Sequence, residues 1–518
     1  MPATDPSLAL LTDLYQLTMS QAAWKQGLWE TEAAFHLFFR KAPFRGGYTI
    51  AAGLETALDY LRAFCFSPGD LDYLASLTDQ GGGPMFEPGF LAALGKLRLS
   101  IDLDAAPEGT VVFAQEPLLR VIGPVAQCML LETPLLNLIN FQTLIATKAA
   151  RICAAAKGEP VVEFGLRRAQ GIDGALSASR AAYLGGVAAT SNLLAGKRYG
   201  IPVRGTHAHS WVMLFDDELA AFQAYAAALP GNVVFLVDTY DTLEGVRNAI
   251  LVGKTLRQRG HDLLGIRLDS GDLAWLSIEA RRLLDAAGFS KTSILASNDL
   301  DEHLIQSLKE QGATINAWGI GTRLVTGDSE PALGGVYKLS AVRKKGQPWQ
   351  PRIKLSEQTS KVSTPGILNV RRFSEPSLGI GDRLVADVIY DEERGLAPAG
   401  SAQELVDPND PTRRKLVPPG TRFEDLLVPV LRGGRQVYLT PPLEQSRART
   451  AAELARLDFT HKRLHNPHVY PVGLEPRLHA FRTELILAHR ATHAHRAGAE
   501  PLAEPLAEPL AEHLRGAS

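Results

Sequence analysis

Gly205-Thr206-His207-Ala208-His209-Ser210 stands at the end of the run Ile201-Pro202-Val203, one of a series of short hydrophobic runs that finish in charged or glycine-rich residues. Val161-Val162-Glu163-Phe164-Gly165-Leu166-Arg167-Arg168 precedes it, and Ile266-Arg267-Leu268-Asp269-Ser270-Gly271-Asp272-Leu273 and Gly319-Ile320-Gly321-Thr322-Arg323 follow. Strand-like runs begin near Val161, Pro202, Val233, Leu263, Ser293 and Asn316, separated by roughly 25 to 40 residues of helical pattern, the βα rhythm of a parallel barrel or sheet. In such architectures the reactive groups lie just past the carboxyl ends of strands, where loops vary on a rigid scaffold. The polar tips are therefore expected to share one pocket.

Outward from these runs, Pro134 to Ala156 reads as a long helix, and Ala181 to Leu194, Leu243 to Gln258, Ala274 to Ala287 and Glu302 to Gln311 read as connecting helices. Upstream, the helical spacing of Ala57, Leu58, Leu61 and Phe64 mixes with strand-like pieces such as Gly109-Thr110-Val111-Val112-Phe113, an α+β pattern. Beyond Gly334 the βα rhythm stops. Short runs such as Thr421-Arg422-Phe423 and Gln436-Val437-Tyr438-Leu439 predict a β-containing region, with a helix near Glu444 to Leu457. The expected division is an α+β domain at 1–133, a catalytic α/β barrel at 134–340, a β-containing region at 341–470 packed on the N-terminal domain, and a helical segment with a low-complexity tail at 471–518. From Ala499 to Leu510 the tail repeats Ala-Glu-Pro-Leu, and so frequent a proline removes helix hydrogen bonds, predicting an extended or disordered appendage.

At 518 residues the chain exceeds the size at which one core stops growing, so two or three units are expected. A formal net charge of -2 with 21% charged residues supplies no global basic field, which argues against nucleic acid or an anionic membrane as a partner. Cys65, Cys128 and Cys153 are odd in number and lack CxxC spacing, disfavouring a disulfide framework or a zinc site and pointing to the reducing cytoplasm. No basic patch with an apolar core opens the chain and no stretch approaches about 20 uninterrupted apolar residues, so neither a signal peptide nor a membrane span is expected.

The strand tips carry the chemistry. Asp269 and Asp272 flank Ser270-Gly271, a pairing suited to a ribose diol or to Mg²⁺ bound to a diphosphate; a helix N-cap uses the same geometry. Gly319-Ile320-Gly321-Thr322 bares consecutive backbone N–H groups of the kind that cradle phosphate, although an ordinary turn has the same pattern. Lys338, Arg40 and Lys41 offer further anion ligands. On a strand His207 and His209 would share one face, giving imidazoles that act as base, acid or nucleophile. Phe164 beside Arg167 and Arg168 makes a bed for a flat anionic ring, and Tyr15 in Asp13-Leu14-Tyr15-Gln16 is a candidate for its other face.

Taken together, Asp13 to Met19, Phe39-Arg40-Lys41-Ala42-Pro43-Phe44, Glu163 to Ala169, Gly205 to Ser210, Arg267 to Leu273 and Gly319 to Thr322 resemble nicotinate phosphoribosyltransferases in order and spacing, over about residues 8 to 375. The resemblance implies a type II phosphoribosyltransferase fold, an irregular α/β barrel joined to an α+β domain built from both chain ends, and a homodimer with shared active sites. It implies that nicotinate and phosphoribosyl diphosphate give nicotinate mononucleotide and diphosphate in NAD salvage, with ATP hydrolysis coupled through a phosphohistidine and Mg²⁺ as cofactor. His209 matches that histidine, while His207 stands where the family varies. Carried over by position, Phe164 and a neighbouring subunit's Tyr15 clamp the pyridine, while Arg167 and Arg267 hold the carboxylate or ribosyl group, and Ser210 and Asn298 line the substrate. Asp269, with Asp272, meets ribose hydroxyls or metal; Gly319, Gly321 and Thr322 hold the 5′-phosphate; Arg40, Lys41 and Lys338 hold diphosphate or ATP phosphates. The rivals are a nicotinamide or quinolinate phosphoribosyltransferase, where Arg167 and Arg168 favour an acid over the amide, and a non-catalytic phosphate-binding barrel.

Overall fold

The computed structural model describes residues 8–358, 361–378, 381–398 and 400–497. At its centre a parallel sheet runs in the order Ala189–Thr190, Val161–Glu163, Ala317–Ile320, Ser293–Ala296, Gly265–Leu268, Val234–Leu236. Every pairing is parallel. Helices cover the sheet, so the strands are apolar on both faces: Phe235, Ile266, Ile294, Trp318 and Ile320 are all fully buried. Three connecting helices lie within a residue of their expected bounds, at Thr242–Gln258, Leu273–Ala286 and Glu302–Glu310. Each starts on an aspartate, Asp241, Asp272 or Asp301, whose carboxylate accepts one or two of the first backbone amides.

The helix expected over Ala181 to Leu194 is instead two, Gly171–Leu184 and Leu193–Tyr199, with the Ala189–Thr190 strand between them. Glycines break it. A Cβ on Gly185 would lie 2.3 Å from the Ala146 carbonyl oxygen, and Gly186 takes φ +117°, a conformation that L side chains rarely adopt.

The run at Pro202 is no strand either. It makes one bridge, Thr190↔Val203, through Thr190 N–H to Pro202 O and Arg204 N–H to Thr190 O, both 3.0 Å. Four residues on from Val203, His207 Nε2 accepts the Leu236 N–H at 3.2 Å. The segment thus spans the gap between the two outer strands and closes the sheet into an irregular barrel. His207 packs among Phe222, Tyr225 and Phe235. Burial lowers its pKa, and the charges of Arg267 and His209 act in the same direction, which keeps the ring neutral and able to accept. The expectation that His207 and His209 share a strand face therefore fails: the chain turns between them, and His209 opens the short helix His209–Val212.

Among the described residues, a seven-stranded sheet forms the second unit, in the order Gln350–Pro351, Gly335–Arg343, Glu32–Phe39, Leu119–Pro124, Asp102–Ala105, Val428–Arg432, Arg435–Gln436. It is built from both ends of the sequence. The remaining C-terminal strands make a further sheet centred on Gly381–Asp391, in which fully buried Arg372 pairs with Asp387 and Glu453. The predicted strand at Gly109 to Phe113 shrinks to Val111–Val112, and of Gln436 to Leu439 only Gln436 is in a strand. The Ala-Glu-Pro-Leu repeats lie outside the described residues. The long helix Glu132–Ala156 joins the units, and its buried Lys148 and Arg151 grip Glu302 of the barrel at 2.8 and 2.9 Å.

Because His207 closes the barrel, His207→Ala leaves the buried Leu236 N–H unpaired and is expected to cost about 1–3 kcal/mol. Urea unfolding checks this: an unchanged midpoint would mean that the ring closes without the imidazole.

Candidate active site

The end of Val161–Glu163 is organised by a buried carboxylate. Glu163 accepts hydrogen bonds from Gly165 N–H, Ser179 Oγ at 2.8 Å and Thr190 Oγ1 at 2.6 Å, fixing the loop that carries Phe164, Arg167 and Arg168. Phe164 lies against the neighbouring strand. A Cβ on Gly319 would fall 2.5 Å from its ring, so Gly319 is required by the aromatic face rather than by a turn.

Arg267 then ties the tips together. Its guanidinium lies 5.5 Å from the centre of the Phe164 ring and donates through Nε to Ser297 Oγ at 2.7 Å, through Nη1 to Thr206 Oγ1 at 3.1 Å and through Nη2 to Asp269 Oδ1 at 2.7 Å. Ser297 Oγ also donates to Asp269 Oδ1. Burial by itself would raise the Asp269 carboxyl, but the Ser297 hydroxyl and the Arg267 charge outweigh it and hold the pKa below the usual carboxylate range. The remaining oxygen, Asp269 Oδ2, stands 3.9 Å from His209 Nε2. On its other side His209 Nδ1 is 3.1 Å from Thr239 Oγ1. Asp238, beside Thr239, accepts from Asp269 N–H at 2.9 Å and Ser270 Oγ at 2.6 Å, and its second oxygen is buried without a partner.

A cleft of about 160 Å³ opens between these tips, lined by Phe164, Arg167, Arg267, Asp269, Asn298 and Gly321 among others. Arg168, Gly319 and Thr322 also border it. Arg167 and Arg168 are exposed and have no ion-pair partner among the described residues. Their charge is available to an acid. Gly321 leads into the short helix Thr322–Val325, whose first amides have no acceptor within the turn. Asn298 takes φ +124°, a conformation costing about 1–3 kcal/mol that is held where a site demands it. Larger hollows occur by Trp349 and Phe481 and by Arg422 and Phe423, but no strand tips of the barrel converge on them.

Other expected site residues lie elsewhere. Asp272 points one carboxylate oxygen at the Trp275 amide as a helix cap. Tyr15 is exposed on Leu14–Lys25 and does not border the cleft. Lys338 belongs to the seven-stranded sheet, its Nζ donating to Tyr337 O at 3.0 Å, and Arg40 and Lys41 follow the end of the sheet's strand Glu32–Phe39. Ser210 is exposed in the helix that His209 opens.

Models of the nicotinate phosphoribosyltransferase (NAPRTase) N-terminal domain, of the NAPRTase family and of its C-terminal domain match residues 10–140, 160–363 and 372–482. Nicotinate phosphoribosyltransferase of Bacillus subtilis is 43% identical over 483 residues, covering 91% of this chain and 93% of its own. The chain belongs to the nicotinate phosphoribosyltransferase family. The human member is 36% identical, covering 92% of this chain and 96% of its own. The crystal structure of human nicotinic acid phosphoribosyltransferase superposes with a TM-score of 0.79, covering 92% of this chain and 99% of that one at 35% identity. A nicotinate-nucleotide pyrophosphorylase from Pyrococcus furiosus shares the fold at a TM-score of 0.63 and 20% identity, covering 88% of this chain and 97% of its own.

Within this family fold, sequence reading missed Thr206, Asp238, Thr239 and Ser297, which hold Arg267, Asp269 and His209 in place. The signal was present at Asp238-Thr239-Tyr240-Asp241, a polar tip directly after the apolar run Val233 to Val237. If Ser297 holds Asp269 ionised, Ser297→Ala should move the Asp269 titration midpoint upward, read by carbon-detected NMR of the carboxyl groups. An unmoved midpoint would leave Arg267 as the sole stabiliser.

Proposed function

We propose that this chain is a nicotinate phosphoribosyltransferase acting in NAD biosynthesis, forming nicotinate mononucleotide and diphosphate from nicotinate and phosphoribosyl diphosphate. The observation that carries the reading is the pair of unpaired cations, Arg167 and Arg168, beside the Phe164 face in the same cleft as Asp269. A flat ring stacks on Phe164 while its carboxylate meets the arginines, an arrangement that favours nicotinate over the uncharged amide. The pyridine nitrogen attacks C1 of the ribose; the N–C1 bond forms, the C1–O bond breaks, and diphosphate leaves with the electron pair. Positive charge grows on the ribosyl centre as this happens, and the ionised Asp269 is placed to stabilise it or to hold the ribose hydroxyls. The amides after Gly321 suit the 5′-phosphate.

Among the described residues, no cluster of three or more acidic, histidine or cysteine side chains forms a metal cage. Asp269 Oδ2 and the unpartnered oxygen of Asp238 suit Mg²⁺, which binds through one or two carboxylates and substrate phosphates. Its chemistry there is neutralisation of the departing diphosphate. ATP is the second phosphate donor in this reading. His209 Nε2 displaces ADP from the γ-phosphorus, and the charge of the resulting phosphohistidine acts on the neighbouring cleft without entering the product.

Large apolar side chains stand exposed around the barrel rim, Ile172 at 68%, Leu193 at 74% and Leu214 at 75%, and on the N-terminal segment at Leu11, Leu14 and Tyr15. Such patches on one chain fit a homodimer in which a partner copy brings its N-terminal helix to the cleft and supplies the second aromatic face. No helix among the described residues is long and apolar enough to cross a membrane. The free thiols of Cys128 and Cys153 suit the cytoplasm.

Diphosphate release tested with nicotinate, nicotinamide and quinolinate, with and without ATP, decides the substrate; preference for nicotinamide would overturn the assignment. Phe164→Ala is expected to raise KM for nicotinate about tenfold or more while changing that for phosphoribosyl diphosphate little. Equal rises for both would remove the ring clamp. His209→Ala should abolish the stimulation by ATP and leave ATP-independent transfer; persistent stimulation would eliminate the phosphohistidine.

A further inference from the structure

Thr239 follows the strand Val234–Leu236 on a stretch of chain that is fastened on two sides. Val237 N–H donates to Arg267 O at 3.2 Å, Asp238 takes the Asp269 amide and the Ser270 hydroxyl, and Leu236 N–H is held by His207. Thr239 is therefore delivered to His209 on a rigid mount, and its branched β-carbon limits the rotamers of the hydroxyl. A neutral imidazole carries one N–H, which goes to the nitrogen with an acceptor in reach. At Nδ1 that acceptor is Thr239 Oγ1 at 3.1 Å. At Nε2 the nearest carboxylate oxygen, Asp269 Oδ2, is 3.9 Å away, too far to hold a proton by hydrogen bonding.

We propose that Thr239 is a positioning residue that accepts the Nδ1–H of His209 and so presents Nε2 as the unprotonated nitrogen on the side of Asp269. This rests on the reading of His209 as the phosphate acceptor. In the transfer, the Nε2 lone pair forms the N–P bond, the bond from phosphorus to the bridging oxygen breaks, and ADP leaves with that electron pair. The proton stays on Nδ1, held by Thr239. The hydroxyl thus fixes which nitrogen reacts and keeps the ring from rotating away from Asp269.

The test uses the full chain with ¹⁵N-labelled histidine, the His209 signals being assigned by their loss in His209→Gln. In the unsubstituted protein, the Nδ1–H tautomer should dominate whenever the ring is neutral. Thr239→Val, which keeps the shape and removes the acceptor, should give mixed tautomers, and Thr239→Ser should restore the original spectrum. Phosphoenzyme formation from γ-labelled ATP should slow at least about fivefold in Thr239→Val and recover in Thr239→Ser. A dominant Nε2–H form in the unsubstituted protein, or a Thr239→Val spectrum like the original, would overturn the proposal, as would failure of serine to restore it. Absence of any phosphoenzyme in the unsubstituted protein would instead strike the phosphohistidine reading, and the spectra would still decide the role of Thr239.

Discussion

The cleft depends on one guanidinium. Arg267 reaches Thr206, Ser297 and Asp269 by hydrogen bonds and lies over Phe164. Its partners come from four separate segments of the barrel rim, so the distances between aromatic face, carboxylate and imidazole are set together rather than one by one. Its planar fork can donate in three directions at once, which the ammonium of lysine cannot reproduce with the same geometry. With those donors engaged, the charges left without an ion-pair partner among the described residues of the cleft are those of Arg167 and Arg168.

The rim also shows how identical side chains divide between scaffold and chemistry. Asp241, Asp272 and Asp301 stand at helix starts, where unsatisfied amides capture them. Asp238 and Asp269 come earlier in their loops, nearer the strand ends, where Asp238 accepts the Asp269 amide and Asp269 borders the cleft. A displacement of three residues along a βα loop thus separates a helix-capping carboxylate from one at the strand tip.

Much of this was legible in the sequence because helices with a full apolar stripe and an Asp cap announce their bounds, as at Thr242–Gln258 and Leu273–Ala286. The parallel barrel and its shared rim followed from the spacing of those helices and the polar ends of the runs between them. What the sequence hid was long-range. His207 looked like a partner of His209 because alternation assumes a strand, but Pro202 and Gly205 flank a segment that pairs through a single bridge and then turns. Asp269 and Asp272 gave the same pattern for a helix cap as for a ligand-facing carboxylate, and the contact of Asp272 with the Trp275 amide lay beyond that pattern. The ties from Thr206, Thr239 and Ser297 join residues about 30 or more positions apart, beyond the reach of local periodicity.

The sheet assembled from both chain ends has a consequence for biosynthesis. Phe35 pairs with Leu339, so the first long strand leaves the ribosome with its outer neighbour some 300 residues behind, a wait of roughly 15–60 s at typical elongation rates. Through that interval an apolar strand edge stays open in the nascent polypeptide, a template for mispairing that a chaperone or fast collapse of the early helices must shield. Translation speed is thereby coupled to the yield of folded protein.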